Sequence, residues 1–86
     1  MEIRKTVLET ADQLINGDRE ESYGSAAESF DRIAMLWGVY LDAPELNAKD
    51  VAHMLILMKV SRLVTSPDKL DNYIDIAGYA ALGAEL

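Results

Sequence analysis

The segment from Val51 to Val64 constrains this chain most. Read as a helix, it places Val51, Met54, Leu55, Ile56, Leu57, Met58, Val60, Leu63 and Val64 on nearly every side. A helix that is apolar all round must be covered by other helices or by another subunit. Two cations, Lys59 and Arg62, interrupt it three residues apart and so share one face. Just beyond, Ser66-Pro67-Asp68 breaks the helix. Serine as N-cap, proline at the first helical position and an acid in the first turn are start signals for the next one. The third and fourth helices are therefore expected to form an antiparallel hairpin.

The other elements follow from periodicity and caps. A first helix is expected from about Glu2 to Asn16, with Ile3, Val7, Ala11, Leu14 and Ile15 as its apolar stripe and Gly17 as a left-handed stop. Ser25-Ala26-Ala27-Glu28 has capping-box spacing and opens a second helix that continues to about Leu41. It presents Ala27, Phe30, Ile33, Ala34, Trp37, Tyr40 and Leu41 on one side. Asn47 caps the third helix, roughly Ala48 to Thr65, and the fourth runs to about Ala84. No stretch alternates long enough to be a strand. The expectation is an all-α, compact four-helix fold in one domain spanning residues 1–86. The fourth helix is similarly apolar from Ile74 to Leu82, and a dimer or higher assembly is also expected, because two amphipathic helices cannot cover two nearly all-apolar ones in so short a chain.

Composition narrows the function classes. Fifteen acids against eight bases give a formal net charge of −7, a surface that disfavours nucleic acid and anionic membranes. With no cysteine, neither a disulfide, a thiolate metal site nor a cysteine nucleophile is available. The N-terminus lacks the uninterrupted apolar stretch of a signal peptide, and the longest near-apolar run, Val51 to Met58, is too short to span a bilayer. A cytoplasmic protein is expected. No glycine-rich phosphate loop and no Ser-His-Asp arrangement is present.

What remains is a charged cluster. Asp71 and Asp75 share a face of the fourth helix, with Tyr79 one turn beyond. In a hairpin folded at Ser66-Pro67, Arg62 is expected to meet Asp71, and Lys59 to come near Asp75. Buried charges must pair, so one reading is a structural salt-bridge pair that fixes the hairpin's register. The other is a ligand site in which Lys59 and Arg62 hold phosphate while the aspartates hold a divalent cation or ribose hydroxyls. A second candidate is the loop Arg19-Glu20-Glu21-Ser22-Tyr23-Gly24, where Gly24 is expected at positive φ and Arg19 and Tyr23 would grip a phosphate and stack on a base. Its alternative is an ordinary interhelical loop. Glu28 and Asp31, spaced Glu-x-x-Asp, would join Asp71 and Asp75 in a four-carboxylate Mg2+ site between helices. Glu9-x-x-Asp12 has the same spacing and reads as surface. His53, the only histidine, reads as a packed or edge residue, and Trp37 as core or subunit interface.

The chain resembles a family of small uncharacterised bacteriophage and prophage proteins, a domain of unknown function. The pieces that carry the resemblance are Gly17-Asp18-Arg19 through Tyr23-Gly24, Phe30-Asp31-Arg32-Ile33 with Leu36-Trp37, and Asp50-Val51-Ala52. Most specific are Lys59-Val60-Ser61-Arg62 and Asp71-Asn72-Tyr73-Ile74-Asp75-Ile76-Ala77-Gly78-Tyr79-Ala80. The resemblance covers almost the whole chain and implies a phage origin, action inside the bacterial host cell and a compact helical fold. More distantly, the helix from Asp71 to Tyr79 is similar to the last acidic helix of the MazG and dUTPase-type all-helical nucleotide pyrophosphohydrolases. That likeness implies a nucleotide ligand, with Mg2+-dependent pyrophosphate release as the activity. The Glu-x-x-Glu pair of those enzymes has no counterpart here, and Glu28-x-x-Asp31 is the nearest substitute. The alternatives are a non-catalytic phage protein that sequesters a signalling nucleotide or binds a host protein, and an oligomeric structural domain with no ligand.

Overall fold

A computed structural model describes residues 2–17 and 24–86. It contains four helices and, among the described residues, no strand: α1 (Ile3–Asn16), α2 (Ala26–Leu41), α3 (Ala48–Thr65) and α4 (Leu70–Glu85). The all-helical class expected from the sequence is therefore the one observed. Packing is most extensive between α3 and α4, followed by α1 with α4 and α2 with α3. The helices thus stand side by side in the order α1, α4, α3, α2. The molecule measures 45 × 31 × 20 Å with a radius of gyration of 13.8 Å, against ~12 Å for a closed globule of this length.

Local chemistry explains most boundaries. Ser25 Oγ accepts the Glu28 backbone N–H at 3.1 Å, starting α2 as expected, and Gly24 before it adopts φ +78°. The full reciprocal box forms at α3, where the Asn47 side chain accepts the Asp50 N–H and the Asp50 carboxylate accepts the Asn47 N–H, both at 3.0 Å. Asp42, in the left-handed region at φ 53°, closes α2.

Two ends differ from the sequence reading. Gly17 terminates α1 at φ −88°, ψ −130°, not in the left-handed region. Glycine still suits the position, because a Cβ there would collide with the Gln13 carbonyl oxygen. The fourth helix starts at Leu70 rather than at Pro67. Ser66 serves instead as the C-cap of α3, its N–H donating to the Arg62 carbonyl. Ser66-Pro67-Asp68-Lys69 is a turn closed by the Lys69 N–H on the Ser66 carbonyl at 3.2 Å. Proline's fixed φ serves a turn as well as a helix start, so the same two residues satisfied the alternative.

The core is small. Phe30 and Val51 are its largest fully buried side chains, joined by Ala34, Ala48 and Ala52, with Ile33, Trp37, Leu55, Tyr79 and Leu82 packed around them. Small residues on α4 let its neighbours come close: Gly78 lies under Ile15 of α1, and Gly83 against Ala52 of α3. Coverage of α3 falls short of the expectation. Its N-terminal half buries Ala48, Val51 and Ala52, but Leu57, Val60 and Val64 remain exposed on the side away from the core. The α1 stripe is likewise partial: Ala11 is buried, whereas Ile3 and Leu14 are half exposed. A single row of helices covers each member only along its flanks.

Candidate functional site

The closed end of the α3–α4 hairpin holds a cleft of about 350 Å³. α3 contributes Lys59, Arg62 and Thr65, the turn contributes Ser66 and Lys69, and α4 contributes Asp71, Asn72 and Asp75. The hairpin register is regular away from the turn. Near the far end Lys49 Nζ donates to the Gly83 carbonyl, and midway Lys59 Nζ lies 2.7 Å from Asp75 Oδ2. The Lys59 side chain is only 12% exposed and that of Asp75 33%. A pair so sheltered from water keeps much of its Coulomb attraction, and each partner relieves the other's desolvation. The expected approach of Lys59 to Asp75 is present.

Continuing that register would set Arg62 against Asp71, as expected from spacing. The two line the same cleft, but both are exposed and they do not come within 4.0 Å. The cause is the turn. Because α4 begins at Leu70, four residues of turn separate the helices, and side chains beside the turn need not follow the register set farther along the hairpin. Arg62 and Asp71 then stand on opposite walls. Among the described residues, Arg62 and Lys69 have no carboxylate partner. Among the described residues that line the cleft, three cations stand against two carboxylates, a locally positive balance on an acidic chain.

Asn72 is the part of the site that sequence reasoning passed over. It is 3% exposed, the one buried polar residue among those described, and it lines the cleft without a side-chain hydrogen bond to another described residue. A signal was available, since Asn72 stands three residues before Asp75 and shares its helix face. Lys69 was missed because a longer fourth helix hid the turn it belongs to. Its side chain does not cap α4, and Asn72 N–H already donates to its carbonyl. The remaining first-turn N–H groups add partial positive charge at the cleft.

The other candidates fall elsewhere. Tyr79 tilts over Phe30, with ring centroids 6.4 Å apart, and borders a different depression with Lys49 and His53. Glu28 and Asp31 lie exposed on α2, which packs on α3. Among the described residues no three His, Asp or Glu side chains gather as a metal-holding group, so the four-carboxylate arrangement is not formed. Glu9 faces Lys5 at 3.9 Å on the surface and Asp12 accepts from Asn16, in line with their reading as surface. Arg19 and Tyr23 lie outside the described residues. No described helix is long and apolar enough to cross a membrane.

The family model for the domain of unknown function DUF6378 matches residues 6–86, which includes every helix that builds this cleft. The chain belongs to the DUF6378 family. Its similarity extends to the Gene 55 protein of Mycobacterium phage L5, 44% identical over 77 residues, covering 90% of this chain and 49% of the relative. The Gene 55 protein of Mycobacterium phage D29 is 41% identical over 76 residues, covering 88% of this chain and 50% of the relative. This DUF6378 chain thus spans about half the length of the curated relatives it matches. No solved structure matches it. The phage affiliation expected from the sequence motifs agrees with these relatives.

Proposed function

We propose that the cleft at the closed end of the α3–α4 hairpin binds the phosphate groups of a nucleotide. The observation that carries this reading is the division of labour among its charges. Lys59 and Asp75 neutralise each other at 2.7 Å in a sheltered position, while Arg62 and Lys69 beside them have no carboxylate partner among the described residues. A guanidinium presents a planar fork to phosphate oxygens, and an ammonium adds a point charge. The buried Asn72 carboxamide supplies a donor and an acceptor on the floor. Mg2+ is accommodated as a companion of the nucleotide, since it is commonly held by one or two carboxylates together with phosphate oxygens, and Asp71 is the carboxylate without a cation at close range. Arg19 and Tyr23 complete the reading as contacts to phosphate and base.

Binding without turnover is favoured over a MazG-like pyrophosphohydrolase, because among the described residues two carboxylates rather than four line the cleft and one of them is engaged by Lys59. Thermal-shift titration with nucleoside mono-, di- and triphosphates and cyclic dinucleotides, with and without Mg2+, tests the proposal. A ligand at a hundred times its Kd is expected to stabilise the fold by ~2.7 kcal/mol. Arg62→Ala and Lys69→Ala, both at exposed positions, should abolish that shift while leaving the unliganded melting point nearly unchanged. A panel in which no nucleotide shifts melting, or in which both variants respond like the parent chain, refutes it. Release of pyrophosphate that Asp71→Asn abolishes would favour the enzyme over the sequestering protein.

A further inference from the structure

Among the described residues, none covers the outer side of α2. Phe30, Ala34 and Gly38 face the core, and away from it stand Met35, Leu36, Val39 and also Tyr40, which periodicity places with the core, between 64% and 88% exposed. From Ile33 to Leu41 no residue carries a charge. Large apolar side chains grouped in this way mark an association surface rather than scattered exposure.

One seam along this face has internal order. Glu28, Arg32, Met35 and Val39 are spaced four, three and four, which keeps them on one side of α2, and Asp42, the left-handed residue that closes the helix, shares a groove with Met35 and Val39. Met35 and Val39 occupy its middle. Arg32 lies on one side of them and Asp42 on the other, both exposed, and neither within 4.0 Å of an opposite charge among the described residues. Alongside runs a groove of about 540 Å³ lined by Met35, Gly38, Val39, Asp42, Pro44 and Leu46.

A two-fold axis at the level of Trp37 would place Met35 opposite the partner's Val39, and Arg32 opposite the partner's Asp42. Each unlike-charge pair then occurs twice. A parallel alignment would instead oppose Arg32 to the partner's Arg32 and Asp42 to the partner's Asp42. An acidic chain repels its own copy unless the contact is uncharged or complementary, and from Arg32 to Asp42 this seam is uncharged in the middle and complementary at both ends, with Glu28 beyond it. We propose that a second copy of this chain docks antiparallel on the outer face of α2, with Met35 and Val39 at the centre and Arg32–Asp42 pairs closing both ends.

Sedimentation equilibrium at micromolar concentration, with circular dichroism to check the fold, tests this. The parent chain should have the mass of a dimer. Val39→Glu should be a folded monomer, since the side chain is 83% exposed in the single chain. Arg32→Glu and Asp42→Lys should each weaken association about tenfold, and combining them should restore it, because the swapped charges meet again. Asp42→Asn, which tolerates the left-handed backbone at this position, provides the charge-loss variant without strain and should weaken association as well. A monomeric parent chain, a dimer indifferent to Val39→Glu, or a double reversal no tighter than either single one overturns the proposal.

Discussion

Lys59 and Asp75 are the residues whose energetics depend most on each other. Removing the aspartate charge leaves an ammonium 12% exposed without its partner. Asp75→Asn is expected to destabilise the chain by about 1–3 kcal/mol, the cost of an unsatisfied buried group discounted for partial solvent access. In a domain of this size that lowers Tm by about 4–8 °C per kcal/mol. Asp71→Asn should cost less than about 1 kcal/mol, since Asp71 is exposed and contributes only its place in the first turn of α4. Thermal melts of the two variants side by side check the contrast. Equal losses would mean that both aspartates are structural pins.

At the scale of elements, the caps set the helix boundaries. Asn47→Ala breaks the reciprocal box of α3 and should cost about 1 kcal/mol, readable as a lower urea midpoint with an unchanged m-value. The start of α2 at Ser25, the cap at Asn47 and the end of α3 at Thr65 were legible because capping residues act through backbone atoms within three positions. Ser66-Pro67 was ambiguous for the same local reason. Its side chains suit a helix start, and the choice of a turn is made by the backbone bonds of Ser66 to Arg62 and of Lys69 to Ser66. The Lys59–Asp75 pair was legible from spacing, while the absence of an Arg62–Asp71 pair was not, because the register beside a turn depends on how many residues the turn takes up. Asn72 was overlooked because its burial is a property of the assembled hairpin.

For the whole molecule, stability rests on very few large side chains. Phe30→Ala removes one of the two that are fully buried and the ring that Tyr79 packs against. A loss of about 3–5 kcal/mol is expected, a large share of the ~5–15 kcal/mol that holds a small domain together. A thermal melt followed by circular dichroism should show a markedly lower midpoint, and a variant as heat-resistant as the parent would mean that the core lies elsewhere. By contrast, Val64→Ala, at a side chain 81% exposed, should leave a single chain within about 0.5 kcal/mol of the parent.

Among the described residues, α3 is tied to α4 by Lys49 on the Gly83 carbonyl near one end and by Lys59 on Asp75 midway, whereas near the turn the Tyr73 hydroxyl donates to the Pro67 carbonyl at 2.8 Å, an exposed bond that ties the turn to α4 and not to α3. Opening of the backbone therefore has a preferred direction. The amides of Thr65, Ser66, Asp68, Lys69 and Leu70 should exchange with solvent deuterium well before those of Val51 and Ala52, so that the bend loosens while the core stays shut. A guest entering there would meet the most yielding part of the fold, and gripping it would slow the exchange of those same amides first.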